Sequence, residues 1–141
     1  MREEHQGGRV TIEGGCLCGA VRYRAGGTAS GLTICHCATC RRASGAPMVA
    51  WTGFPADSFT FIRGAPTIYA SSPGVERGFC SQCGTQLTYR RLDAADSIDV
   101  TTVSMDNPEA IPPQDHTWVQ SRLSWVKLAD QLPAYVGVRT K

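Results

Sequence analysis

The chain has 141 residues, 42% hydrophobic and 18% charged, with fourteen Lys and Arg against twelve Asp and Glu for a net charge of +2. That length suits one domain, and the composition excludes a disordered chain. So small a charge excess argues against a nucleic-acid or anionic-membrane partner, and the longest apolar run, Ala46 to Trp51, falls far short of the ~18 residues of a spanning helix.

Residues 1–10 read as a flexible N-terminal tail, charged and Gly-containing without periodicity, and residues 11–136 as one domain. Residues 1–15 are polar, with no apolar core of a secretory signal, so the expected location is cytoplasmic. Short strands punctuated by Gly and Pro follow. Val10 to Glu13 stops at Gly14-Gly15. Ala20 to Arg24 alternates apolar with basic, which puts Arg22 and Arg24 on the wet side of a strand ending at Gly26-Gly27. Leu32 to Ile34, Met48 to Thr52, Phe59 to Ile62 and Thr67 to Ala70 continue the pattern, followed by Val75 to Phe79, Gln86 to Arg90 and Ile98 to Val103. Helical signals are few: Ala38 to Ser44 forms a short helix closed by Gly45, and Asp106 to Ala110 at most one turn. A strand is expected around Trp118-Val119-Gln120 and a turn at Ala129-Asp130. The class is mainly β with very little helix.

The seven cysteines are grouped as Cys16-Leu17-Cys18, Cys35-His36-Cys37-Ala38-Thr39-Cys40 and Cys80-Ser81-Gln82-Cys83. Packing gives no reason for such gaps, an odd count cannot pair fully, and a cytosolic chain keeps its thiols reduced, so the pattern points to metal ligation. Zinc takes thiolates in a tetrahedral array. Cys80 to Cys83, with Gly84 free to adopt a positive φ, can converge on one ion. Cys16 and Cys18 can do so from an extended segment whose alternate residues share a face. Seven thiolates divide into one closed four-sulfur site and one three-sulfur site with an open position. Cys35, Cys37 and Cys40 are close enough in sequence to share an ion, leaving the two pairs for the other. The spacing equally permits either pair to join part of the triplet.

Gly14-Gly15-Cys16-Leu17-Cys18-Gly19-Ala20-Val21, Cys35 to Arg41 and Phe79-Cys80-Ser81-Gln82-Cys83-Gly84 resemble the glutathione-dependent formaldehyde-activating enzyme (GFA) family, which also includes centromere protein V. His116 to Ser121, Trp125 and Leu132-Pro133 are similar to that family's C-terminal pattern, and the resemblance runs from Thr11 to Tyr135. It implies a zinc-stabilised β-tent of small antiparallel sheets and two zinc ions per chain. Cys16, Cys18, Cys80 and Cys83 would hold a structural zinc, and Cys35, Cys37 and Cys40 a catalytic one. The implied activity is carbon–sulfur lyase chemistry on a glutathione-like thiol–aldehyde adduct, with a small-molecule thiol or adduct as partner. The alternatives are a non-catalytic zinc-stabilised module that binds a protein partner, a thiol-redox protein using Cys35, Cys37 and Cys40, and an iron–sulfur site.

Other residues have plainer readings beside the functional ones. Arg41 and Arg42 either form a solvated basic face, offset the charge of the thiolates or meet a substrate carboxylate. His36, on an extended turn between two ligands, points away from the metal into packing or a surface hydrogen bond. His116 closes a turn or serves as an acid–base group. Trp51, Trp118 and Trp125 belong to the core or to a pocket wall.

Overall fold

Alternating apolar and polar residues build two sheets in the computed structural model, which describes residues 9–140. Of the expected N-terminal tail, residues 1–8 lie outside the described residues. Strands β1 (Arg9–Gly15), β2 (Arg22–Thr28) and β5 (Phe59–Arg63) form an antiparallel sheet in the order β1-β2-β5. The second sheet has seven strands, made from β3 (Ser30–Cys35), β4 (Val49–Pro55), β6 (Thr67–Ser72), β7 (Val75–Phe79), β8 (Gln86–Arg91), β9 (Ser97–Thr101) and β10 (Asp115–Thr117). Its order is β10-β3-β4-β9-β8-β7-β6, and its pairs are antiparallel except β10 with β3, where Thr117 lies beside Cys35.

The expected strands and helix are present, with three differences. The strand expected from Ile98 to Val103 ends at Thr101, and Thr102–Ser104 forms a 3-10 turn. The strand expected around Trp118 ends at Thr117, because Trp118 turns into the left-handed region (φ 57°, ψ 38°) and Val119–Ser121 forms a single 3-10 turn. Strand β2 runs through Gly26-Gly27 instead of ending there. A side chain at Gly27 would press on Pro55 at 3.0 Å and on Ser58 at 3.3 Å, so this glycine marks a close approach between segments and not a turn.

Tyr23, Phe54, Leu87, Val100 and Ile111 are fully buried and form the main core together with Cys16 and Cys80. Tyr23 stacks on Phe59 at 5.5 Å and shares a 2.8 Å hydrogen bond with Ser104, so its phenol is both packed and satisfied. A smaller cluster joins Cys35, Cys40, Val49 and Trp51 at the far side of the large sheet. The wet side of β2 is as expected: Arg22 binds Asp106 and Arg24 binds Glu13. Trp125 does not join the core. It is 67% exposed.

Candidate metal centres and the adjoining cavity

The turn between β1 and β2 carries Cys16 and Cys18, and the turn between β7 and β8 carries Cys80 and Cys83. These four sulfurs lie within 4.8 Å of one another. Sulfurs held tetrahedrally at ~2.3 Å from one ion stand about 3.8 Å apart. Cys16 and Cys18 are separated by 3.6 Å and Cys18 and Cys80 by 3.8 Å, so the cage has the right size for such an ion. The pair Cys16 and Cys18 does not lie on an extended segment. Gly19, at φ 81°, donates its N–H to the Cys16 carbonyl at 3.2 Å, and the resulting turn brings both sulfurs to one side. Gly84, at φ 82°, closes the second turn as the sequence leads one to expect, donating to the Cys80 carbonyl at 2.8 Å.

Backbone N–H groups point at these sulfurs, from Val21 to Cys16 at 3.3 Å and from Gln82 to Cys80 at 3.4 Å, an arrangement that favours thiolates. Thr85 links the two turns: its hydroxyl accepts from the Leu17 N–H at 3.0 Å and lies 3.2 Å from the Cys83 sulfur. Hydrogen bonds from the Thr85 side chain and backbone hold the Cys83 thiol down at about 5.

Cys35 ends β3, Cys37 caps the helix α1 (Ala38–Ser44), and Cys40 sits in its first turn. Their sulfurs also lie within 4.8 Å of one another, with no fourth His, Cys, Asp or Glu in the group among the described residues. The helix is short because Gly45 takes the left-handed conformation (φ 71°) and returns its N–H to the Arg41 carbonyl. The Cys40 N–H donates to the Cys37 sulfur at 3.3 Å. Within the trio, hydrogen bonds from the other two thiols lower the Cys37 pKa, while the same contacts and burial raise that of Cys35. All seven cysteines are free thiols, and both clusters can hold a metal ion.

The trio opens on a cavity of about 490 Å³ walled by Trp51, Tyr89 and Trp118, a size and lining typical of small-molecule sites. Two charged residues that the sequence reading did not single out line it. Arg77, on β7, is only 6% exposed and lies 5.0 Å over the Tyr89 ring. Its Nη2 is 3.8 Å from the Cys40 sulfur, and its Nε and Nη1 have no partner. Asp99, on β9, also lines the cavity, and burial pushes its carboxyl up to about 6 against the opposing charge of Arg139. Gly53 opposite leaves room for it, since a Cβ there would come within 2.9 Å of the Asp99 Oδ1. The one local signal for Arg77 was its place in step with Val75 and Phe79 on an alternating strand.

His36 points away from the sulfurs, as expected, but into the interior and not the surface. It is fully buried, with its Nε2 3.0 Å from His116 Nδ1, and His116 Nε2 is 2.9 Å from Asp130 Oδ2. The Leu132 N–H, with His116, holds Asp130 below the usual carboxylate range, so Asp130 accepts from the His116 Nε2–H. The other ring nitrogen of His116, Nδ1, is the atom that faces His36 Nε2. Burial and the neighbouring His116 lower the His36 pKa, which keeps that ring neutral. The relay fastens the loop of the three cysteines to the C-terminal segment, and neither imidazole lines the cavity. Half-buried Arg41 and exposed Arg42 follow Cys40 on α1.

A mainly β fold with one closed sulfur cage and one sulfur trio at a cavity defines a cysteine-cluster protein of the kind built to hold metal ions. The sequence profile of the glutathione-dependent formaldehyde-activating enzyme family matches residues 11–121, and the chain belongs to that family. It is 38% identical over 77 residues to an uncharacterized lyase of Schizosaccharomyces pombe, a match covering 55% of this chain and 56% of that protein. It is 29% identical over 130 residues to a protein of Halomonas elongata named as a putative glutathione-dependent formaldehyde-activating enzyme, covering 84% of this chain and 82% of the relative. A crystal structure of a Rhodobacter sphaeroides protein shares the fold, with a TM-score of 0.56 at 21% identity over 88% of this chain and 99% of that one.

Proposed function

We propose that the protein is a zinc-dependent carbon–sulfur lyase, acting on the adduct of a small glutathione-like thiol with an aldehyde at the three-cysteine site. The observation that carries this reading is the contrast in ligand number: four convergent sulfurs in one cluster, three at the end of a cavity in the other. Closed zinc sites are structural, and sites with a free position are catalytic. On this reading Cys16, Cys18, Cys80 and Cys83 hold a structural zinc, and Cys35, Cys37 and Cys40 a catalytic one. The names of the yeast and Halomonas relatives supply the reaction class and the thiol.

Zinc bound at the trio supplies Lewis acidity and a fourth coordination position. The chain's own residues do the rest. The Arg77 guanidinium beside Cys40 offsets the negative charge of three thiolates. Trp51, Tyr89 and Trp118 shield the cavity from water and so strengthen every charge interaction within it. Asp99, whose carboxyl titrates at about 6, is poised to exchange protons near neutral pH. In cleavage of a hydroxymethyl thioether it takes the hydroxyl proton as the C=O bond forms; the C–S electron pair leaves on sulfur, and the proton then returns to that sulfur. In the addition direction each transfer reverses.

Elemental analysis should find two zinc ions per chain in wild type and one in Cys37→Ala, which should also lose turnover of thiol–aldehyde adducts. Full turnover in a Cys37→Ala protein containing one zinc would sink the proposal.

A further inference from the structure

A second cavity of about 490 Å³ lies behind Arg77, between α1 and the strands β6 to β8, and shares Thr39 and Arg77 with the cavity of the cysteine trio. Its lining includes Arg42, Ser71, Arg77 and Gln86 and no Asp or Glu. The chemistry of these groups is lopsided. Seven buried side-chain nitrogen and oxygen atoms lack a hydrogen-bond partner among the described residues, and four belong to this lining: Ser71 Oγ, Arg77 Nε, Arg77 Nη1 and Gln86 Nε2. Folded proteins rarely bury donors unpaired, and a group of them at one cavity calls for an acceptor from outside.

The backbone brings the donors there. The pairing of β6 with β7 slips between Ala70 and Ser72, which takes Ser71 out of the ladder, and the pairing of β7 with β8 slips beside Phe79 and Gln86. Such irregularities re-aim side chains. The exposed Arg42 and the 63% exposed Tyr69 stand at the rim. Two guanidiniums, an amide nitrogen and a hydroxyl around a space without carboxylates fit a carboxylate, whose two oxygens accept several donors at once.

We propose that this second cavity is an anion site that holds the carboxylate of the thiol substrate, with Arg77 as the wall between the bound sulfur and the bound carboxylate. The assignment of the carboxylate to a thiol rests on the lyase reading above; the anion site itself does not. The substrate class is then narrower than thiols in general: it is thiols that carry a carboxylate about a residue or more away from sulfur.

The test is calorimetric titration of the zinc-loaded protein with N-acetylcysteinylglycine, with its C-terminal amide, and with inorganic phosphate. The acid should bind at least tenfold more tightly than the amide, and phosphate more weakly than the acid. Gln86→Leu keeps the side-chain volume and removes an unpartnered donor, so it should fold without loss of Tm and cut the acid-over-amide ratio about threefold; Arg42→Ala should cut it further. Equal affinity for acid and amide would overturn the site, and tighter binding of phosphate than of the acid would overturn its assignment to the substrate. Absence of turnover with a retained acid-over-amide preference counts against the lyase reading alone.

Discussion

The two sulfur clusters are built from opposite materials. The cage of four joins segments 62 residues apart, and two of its members, Cys16 and Cys80, are packed into the main core beside Tyr23 and Leu87. The trio is local, spanning the end of one strand and the first turn of one helix, and it faces a cavity that holds an underpartnered Arg77 and the carboxyl of Asp99. The first arrangement maximises cross-linking and the second leaves a reactive surface. A region devoted to chemistry gives up stability that a region devoted to cohesion supplies.

Disruption of each cluster should therefore have different consequences. Cys80→Ser should abolish cooperative unfolding near room temperature, since structural zinc in small domains supplies on the order of 10–16 kcal/mol, the scale of a whole domain's stability. Near-UV circular dichroism of the purified variant reads this directly. Cys37→Ala should instead shift Tm by only a few degrees while removing one zinc. Equal loss of fold in both variants would erase the contrast.

Asp99 sharpens the comparison through pH. Its carboxyl is held up at about 6, against a usual value of 3.8, chiefly by burial. Between those values the folded chain keeps a proton that the unfolded chain gives up, so stability falls as pH rises through that window and is level above it. Asp99→Asn should remove the slope, raising stability at pH 7.5 by about 3 kcal/mol relative to wild type and by nothing at pH 3, as measured by urea denaturation. Turnover should fall in the same variant.

His116→Phe cuts the relay between His36 and Asp130 without opening a large void. Partners beyond the ligands typically tune metal affinity 10–100-fold, and because His36 lies between Cys35 and Cys37, a roughly tenfold weaker zinc affinity is expected at the trio and none at the cage. Competition with a chromogenic chelator resolves the two sites. The smallest effect belongs to the surface: Asp106→Asn removes the pair with Arg22 at 2.6 Å, and with Asp106 more than half exposed the loss should stay under ~1 kcal/mol in thermal unfolding.

Much of this was legible along the chain. The strands followed from alternation, the helix over 38–44 from Gly45, and the cysteine motifs from spacing that packing does not explain. The turn at Cys16 to Gly19 was misjudged as extended because alternate residues on a strand and the two ends of a tight turn both bring i and i+2 to one side. Arg77, Asp99 and Asp130 were missed for a shared reason: each gains its meaning from a residue fourteen or more positions away or from a cavity, and no local pattern marks such a partner.

Local chemistry thus determined that this chain is a β protein with seven thiols arrayed for metal, because period, turn propensity and ligand spacing act over a few residues. Which sulfurs meet was open until strands distant in sequence were set side by side. The pairing of the 16–18 turn with the 80–83 turn, the guanidinium beside Cys40 and the carboxyl of Asp99 held up at about 6 are products of long-range burial, and burial is a property of the folded chain alone.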